Sequence, residues 1–323
     1  NGEGANEVLL WVESDLSTTS YTYVYFERES NRVAQVLQKL GIKKGDTISI
    51  FIPRSPMLIS CLFGILKLQA ISSILFGTLG EEGLLDRLSN SNARIVITRK
   101  SLLRKIVSIK DKLPALERIL VIDIDEDQND VVLSMKRLLQ DTQPVFEFPH
   151  HVEQETPAFL QYTSGSTGKP KGALHVHGAL PDMQKSFKEI MQLEADDLYW
   201  CTADPAWITG LVYGIIAPFS TGTRQLQYNG TYNADNWLKI LERETVTVWY
   251  TAPTALRMLM QEDAEKFQQH DFSGLKRMYS VGEPLNPEIY HWGKKVFKVE
   301  VYDNWWQSET GSMMIANRPP MTV

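Results

Sequence analysis

Between residues 22 and 40 the apolar side chains Val33, Val36, Leu37 and Leu40 recur at helical spacing, and Gly41 follows where a helix would close, so the pattern predicts one amphipathic helix. A short β-rich run at 47–52 comes next, then a more continuously apolar stretch at 55–68 that reads as a buried helix. Further Val/Ile-rich runs at 94–98 and 118–123 are separated by helical stretches. Uninterrupted apolar strands alternating with helices predict a mostly parallel sheet, because such strands must be covered on both faces.

The second half repeats this alternation. Runs at 158–162, 198–202, 246–250, 277–281 and 300–302 read as strands, with helices over 233–243 and 253–261 between them. Residues 139–156 are loop-like, with Pro144 and Pro149 and then Pro157, which places a boundary there. The expectation is an α/β chain of two packed, doubly wound subdomains, residues 1–156 and 157–323.

Composition sharpens this picture. The 323 residues are 43% hydrophobic and 22% charged, enough apolar material for one large core or two. Lys and Arg number 33 against 39 Asp and Glu, a formal charge of −6 with no strongly basic stretch, so nucleic acid is not an expected partner. The longest apolar run, residues 57–66, falls short of the ~20 residues a membrane span needs. Cys61 and Cys201 stand apart with no second thiol at redox or metal spacing, which suits a reducing cytoplasm. Acids crowd residues 123–130 without the glycine of a calcium loop, and read as a solvated connection. The chain starts at Asn1 without a leader pattern and stops at Val323 beside Pro319 and Pro320, and a fragment of a longer protein is expected.

The densest chemistry lies at 162–172, YTSGSTGKPKG, directly after a predicted strand. Thr163, Ser164, Ser166 and Thr167 supply hydroxyls. Gly165, Gly168 and Gly172 let backbone N–H groups approach an anion, and Lys169 and Lys171 supply positive charge. Together they suit a polyphosphate. The spacing is not that of a Walker A loop, since Pro170 falls where the second glycine would be and Lys169 precedes Pro, not Ser or Thr. A Gly/Ser linker would have no reason to set two lysines around a proline.

Two strand ends offer further groups. Val281, Gly282, Glu283 and Pro284 turn the chain sharply after a strand, which frees backbone groups for a planar base, though an ordinary strand-to-helix turn reads the same way. Residues 303–309 follow another strand and should emerge at the carboxyl edge of a parallel sheet, where a carboxylate can hold a cation. His175 and His177 alternate along a predicted strand and would share a face, but no third ligand is evident and structural roles fit better. Arg99, Lys100, Arg104, Lys105, Lys110 and Lys112 read as a solvated helix face.

Residues 162–172 resemble the phosphate-loop signature of the adenylate-forming superfamily of acyl-CoA synthetases, luciferases and peptide-synthetase adenylation domains. The segments ADPAWITG (203–210), SVGEPLNP (280–287) and YDNWWQSETG (302–311) resemble the AMP-forming acetyl-CoA synthetase branch, in order and spacing over essentially the whole chain. The resemblance implies the N-terminal domain of such an enzyme, ending before a β-barrel subdomain and a mobile C-terminal domain. It also implies that Gly282, Glu283 and Pro284 line an adenine pocket and that Trp305 stacks on adenine. Asp303, Asn304 and Gln307 would hydrogen-bond the nucleotide, Ser308 would contact the α-phosphate, and Glu309 would hold Mg²⁺.

By the same resemblance Ile208, Thr209, Val281 and Trp306 form the acyl pocket, and Thr209 and Asn233 lie near the path of coenzyme A. A bulky indole at a pocket floor excludes long chains, so acetate is the implied substrate with propionate a slower competitor. Ser308 replaces the usual Thr and Ile208 the common Val, which bears on fine specificity. The implied reaction joins the acid to ATP as acyl-AMP and then to coenzyme A, with Thr163, Lys169 and Glu309 as the catalytic set. The lysine and aspartate that the family places later are beyond this chain, so it should bind nucleotide or acyl-adenylate but activate acids weakly by itself. Two other readings remain at this stage: a non-catalytic nucleotide-binding module, and an enzyme that loads a carrier-protein thiol.

Overall fold

A computed structural model of the chain describes residues 6–147, 149, 151–163 and 169–320. Its strands, in chain order, are β1 (Glu7–Glu13), β2 (Thr18–Thr22), β3 (Thr47–Phe51), β4 (Ile71–Ile74) and β5 (Ile95–Thr98). There follow β6 (Arg118–Val121), β7 (Val132–Ser134), β8 (Pro157–Thr163), β9 (Lys171–Val176) and β10 (Tyr199–Cys201). Last come β11 (Gln225–Asn229), β12 (Val248–Thr251), β13 (Arg277–Ser280), β14 (Val301–Trp305) and β15 (Ile315–Ala316). They divide between two compact α/β units, one of residues Val24–Ala179 and the other of Asn1–Tyr23 with Leu180–Val323.

The unit Val24–Ala179 holds a sheet in the order β7-β6-β5-β3-β4-β8-β9, parallel except for the β8–β9 hairpin. Its inner strands are buried on both faces, which explains their unbroken apolar runs. On one face Phe51, Val96, Ile119 and Val121 pack with Leu84 and Leu88 of the helix Glu81–Ser91 and with Leu103 and Ile106 of the helix Lys100–Val107. The apolar stretch at 55–68 forms the helix Pro56–Lys67. Its start is set by Ser55, whose hydroxyl accepts the Leu58 N–H at 3.2 Å, and by Pro56, whose missing N–H costs nothing in the first turn.

The other unit holds a sheet in the order β15-β14-β13-β12-β10-β11-β1-β2, parallel from β14 through β1. Trp200 and Trp249 stack at 6.1 Å beneath the helix Ala234–Arg243, whose Trp237 meets Trp200 edge-on at 5.3 Å. Near the amino ends of these strands the buried Asp197 carboxylate pairs with Arg277 at 2.8 Å and Lys276 at 2.9 Å, and accepts the Glu194 N–H at 2.8 Å.

The division of the chain differs from the boundary expected after residue 156. Strand β8 joins the first sheet through Ser72 beside Phe159 and folds back as β9, so residues 157–179 stay with the preceding unit. Strand β1 pairs with β11 from Leu9 beside Gln225 to Glu13 beside Asn229, which takes the amino-terminal segment into the later unit. A long-range pairing of this kind leaves no local mark in the sequence. Among the described residues no helix is long and apolar enough to cross a membrane.

Candidate functional site

Because β10, β12, β13 and β14 run parallel, the segments that follow them leave the sheet at one edge, its carboxyl edge. These segments and the end of β14 carry the residues singled out by sequence for the acyl group, the adenine and the metal. Cross-links bind them together there: Thr202, just after β10, donates to Thr251 Oγ1 at the end of β12 at 2.8 Å, and the Thr254 hydroxyl, after β12, donates to Glu283 Oε1, after β13. Arg257 adds an ion pair to Glu283 at 3.4 Å.

After β10 the chain turns on Asp204, whose carboxylate accepts the Ala206 N–H at 2.8 Å and whose carbonyl accepts the Trp207 N–H at 2.8 Å. Ile208 and Thr209 then open the short helix Ile208–Leu211, with Ile208 buried and Thr209 half-buried. Only glycine fits at 210, since a Cβ there would lie 2.1 Å from the Asp204 carbonyl oxygen. The helix continues through a π-helical turn, Val212–Ile216, into Ala217–Thr221. A π turn widens the backbone, and its Gly214 carbonyl takes a bond from Gln227 Nε2 on β11 at 3.0 Å.

After β13, Val281 is buried and donates its N–H to Thr251 O at 3.2 Å. Gly282 follows at φ +92°, a backbone region that favours glycine, and turns Glu283 and Pro284 out to the surface. At the end of β14, Trp305 is 54% exposed, while the next residue, Trp306, meets the Tyr213 ring edge-on at 5.0 Å. The Trp306 indole N–H approaches the Tyr250 hydroxyl without completing a hydrogen bond. Gln307 and Thr310 close a turn, the Gln307 N–H donating to Thr310 Oγ1 at 3.1 Å, and this turn presents Ser308 and the exposed Glu309.

Asp303 and Asn304 part company. Asp303 is half-buried with Oδ1 lacking a partner, and burial holds its carboxyl above the usual range, in keeping with a site for a donor group. Asn304, expected to meet the nucleotide, instead lies inside at 5% exposure. Its Oδ1 accepts from the Tyr250 hydroxyl and its Nδ2 donates to Ser280 O, both at 2.9 Å. Asn233 is also engaged locally, as the cap whose Oδ1 accepts the Asn236 N–H at 2.9 Å.

The lysine-rich loop belongs to the other unit. Thr163 ends β8 opposite Lys171 of β9, and Lys169 and Lys171 are exposed. Tyr162 anchors this hairpin, its hydroxyl bonding Arg87 O at 3.0 Å and Asn90 Oδ1 at 2.8 Å. Ser164, Gly165, Ser166, Thr167 and Gly168 lie outside the described residues.

The two histidines do not share a face as expected. His175 stacks on Phe159 at 4.7 Å, whereas β9 ends at Val176 and His177 turns away with its N–H on Thr156 O. Among the described residues no group of three or more His, Cys, Asp or Glu side chains could hold a metal ion. Sequence reasoning missed Tyr213, Tyr250 and Ser280. A π turn and a cross-strand side-chain bond have no local sequence signature, although the glycine at 210 marked the close approach beside them.

Comparison with known proteins places the chain in a family. The family described as AMP-binding enzyme matches residues 5–323. The chain is 39% identical to the acetyl-coenzyme A synthetase of Bacillus subtilis (strain 168), over 98% of this chain and 55% of that protein. It is 35% identical to the acetyl-coenzyme A synthetase of Rubrobacter xylanophilus, over 99% of this chain and 53% of that protein. The crystal structure of Brucella canis acyl-CoA synthetase superposes with a TM-score of 0.91 at 26% identity, covering 100% of this chain and 58% of that one. The anthranilate CoA ligase AuaEII in complex with anthranoyl-AMP superposes with a TM-score of 0.88 at 26% identity, covering 98% and 59%. The chain thus spans a little over half the length of these relatives. With the match running over nearly all its residues, the chain belongs to the AMP-binding enzyme family.

Proposed function

We propose that the protein activates a short-chain carboxylic acid, acetate in preference to propionate, with ATP and passes the acyl group to coenzyme A. The observation that carries this reading is Trp306, held against Tyr213 directly after β14 where the acyl chain would end. A large fixed ring at that point limits the length of acid that fits, and one methylene is worth ~1–3 kcal/mol of discrimination. The likeness to named acetyl-coenzyme A synthetases supports the same substrate class.

In the first step a carboxylate oxygen attacks the α-phosphorus, the bond to the leaving pyrophosphate breaks, and acyl-AMP forms. In the second the coenzyme A thiolate attacks the acyl carbon and AMP leaves. No covalent enzyme nucleophile is needed, so the chain's work is positioning and neutralising charge. Trp305 offers an exposed ring face to adenine, the Gly282 turn with Glu283 and Pro284 offers its backbone beside it, and Asp303 Oδ1 offers an acceptor. Ile208, Thr209 and Val281 wall the acyl group. Thr163, Lys169 and Lys171, with the loop from Ser164 to Gly168, meet the phosphates, Ser308 and Gln307 meet the nucleotide, and Thr209 and Asn233 border the coenzyme A path.

Glu309 is an exposed carboxylate on a tight turn, which fits Mg²⁺, an ion commonly held by one carboxylate together with substrate phosphates. When bound, that ion supplies neutralisation of the phosphate oxygens. Cys61 and Cys201 are both buried and outside any disulfide, which suits a cytoplasmic location.

The test is acetate-dependent ATP–pyrophosphate exchange in the full-length polypeptide, followed by thioester formation on adding coenzyme A. Exchange that rises with acetate and falls with longer acids is expected. Nucleotide binding without any acid dependence would overturn the reading in favour of a binding module, and transfer only to a carrier-protein thiol would overturn the acceptor. This chain by itself is expected to bind nucleotide and acyl-adenylate while exchanging pyrophosphate weakly.

A further inference from the structure

The π-helical turn Val212–Ile216 is the one place among the described residues where helix geometry is disrupted in this way, and it falls between the residues assigned to the acyl pocket and the sheet. Such turns cost hydrogen-bond quality and often mark functional sites. What this one delivers is Tyr213. Its ring is fully buried and meets Phe187 at 6.2 Å, Tyr250 edge-on at 6.2 Å and Trp306 edge-on at 5.0 Å.

The tyrosine hydroxyl joins three segments of the same unit. It accepts the Met313 N–H at 2.8 Å, from the chain just beyond the turn that presents Glu309. It shares a hydrogen with Ser186 Oγ at 2.8 Å on the helix Leu180–Met191, and that serine also donates to Met183 O at 2.9 Å. With donors assigned consistently, the bonds run from Met313 N–H to the tyrosine oxygen, from the tyrosine O–H to Ser186, and from Ser186 to Met183. Burial pushes the phenol up to about 12, so the hydroxyl stays protonated and able to donate throughout the working range.

We propose that Tyr213 is a positioning residue for acid selectivity: its ring, delivered by the π turn and locked by the Ser186 and Met313 bonds, fixes the Trp306 indole and thereby the length of acid admitted. This rests on the reading of Trp306 as the limit of the acyl pocket. Trp306 has no completed hydrogen bond of its own to hold it, so the edge-on contact with Tyr213 sets its place. The ring does the bracing, and the hydroxyl fixes the ring.

The experiment compares Tyr213→Leu, Tyr213→Phe and Trp306→Gly in the full-length polypeptide, reading kcat/KM for acetate, propionate and butyrate. Tyr213→Leu is expected to lower the acetate-to-butyrate ratio about tenfold or more, while Tyr213→Phe, which keeps the ring but loses the bonds that fix it, lowers that ratio by a smaller factor of about two to three. A merely structural role would lower all three acids together and leave the ratio unchanged. An unchanged ratio in Tyr213→Leu beside a relaxed ratio in Trp306→Gly overturns the proposal and leaves the acyl-pocket reading standing. An unchanged ratio in Trp306→Gly overturns that reading and the proposal with it. Relaxation in Tyr213→Phe as large as in Tyr213→Leu overturns bracing by the ring. Should Tyr213→Leu fail to fold, Tyr213→Met, close to it in volume and more adaptable, is measured against the same outcomes.

Discussion

The Tyr250 hydroxyl donates to Asn304 Oδ1 at 2.9 Å, and Asn304 Nδ2 passes the link on to the Ser280 carbonyl at the same distance. One amide thereby ties β12, β13 and β14 together at the edge from which Val281 and Trp306 emerge. Its role is to hold the frame of the site.

Asn304→Ala should accordingly act on stability before it acts on nucleotide affinity. It leaves the buried Tyr250 hydroxyl and the Ser280 carbonyl without these partners, at a cost of about 2 kcal/mol. Denaturant unfolding of the variant checks this. A loss of AMP affinity with stability unchanged would instead put Asn304 on the ligand.

The resemblance placed Asn304 on the nucleotide together with Asp303, and the structure separates them for a reason the sequence does not display. Neighbours on a strand point to opposite faces, so of these two adjacent polar residues only Asp303 shares the face of the exposed Trp305, and Asn304 turns inward. Local patterning made the apolar strands β3, β5 and β12 visible because each is buried on both sides. Strand β11, QLQYN, was invisible, since its buried glutamines look solvated until Gln227 is seen bonding the π turn. The segment 162–172 stands out in composition through its glycines, hydroxyls and lysines, but residues 164–168 lie outside the described residues. The unit boundary was not legible, because β1 finds β11 only through a contact more than 200 residues distant in sequence.

At position 210 a single methyl group should be enough to disturb the turn beside Ile208 and Thr209. Gly210→Ala drives a Cβ to 2.1 Å from the Asp204 carbonyl oxygen, a clash with backbone that must move the turn carrying Ile208 and Thr209. Overpacking of this kind costs about 1–3 kcal/mol. Thermal unfolding should fall accordingly, and a variant as stable as the parent would show that the turn yields freely.

Asp197 predicts an acid limit to stability. Burial would raise its carboxyl, yet the Glu194 N–H, Lys276, Thr247 and Arg277 together hold it below the usual carboxylate range. A depressed folded pKa means stability that is present above the unfolded value, near 4, and is lost as pH falls through the lower folded value. Asp197→Ala, which strands the Arg277 charge beside a buried site, should cost about 3–5 kcal/mol at pH 7 and remove that part of the acid dependence. An unfolding free energy equal to the parent's at pH 7, or a loss of stability below pH 4 as steep as the parent's, would contradict this.

Asp303 carries the opposite sign. Burial raises its carboxyl, so its contribution to stability is fully present below the unfolded pKa and is lost as pH rises through the folded one. Asp303→Asn should flatten the stability profile across that window while weakening AMP binding, because it exchanges an unpartnered carboxylate oxygen for a weaker acceptor. Paired urea titrations and AMP calorimetry over pH 4–7 read both effects. An AMP affinity equal to the parent's would remove Asp303 from the nucleotide site.

The most direct test of short-acid activation is calorimetric binding of non-hydrolysable alkyl-AMP esters, from ethyl through propyl to butyl, to this chain and to Trp306→Gly. Affinity should fall with each added carbon in the parent, by a factor consistent with ~1–3 kcal/mol per methylene, and recover in the variant. Esters of every length binding the parent as plain AMP does would contradict the account, because Trp306 would then limit nothing.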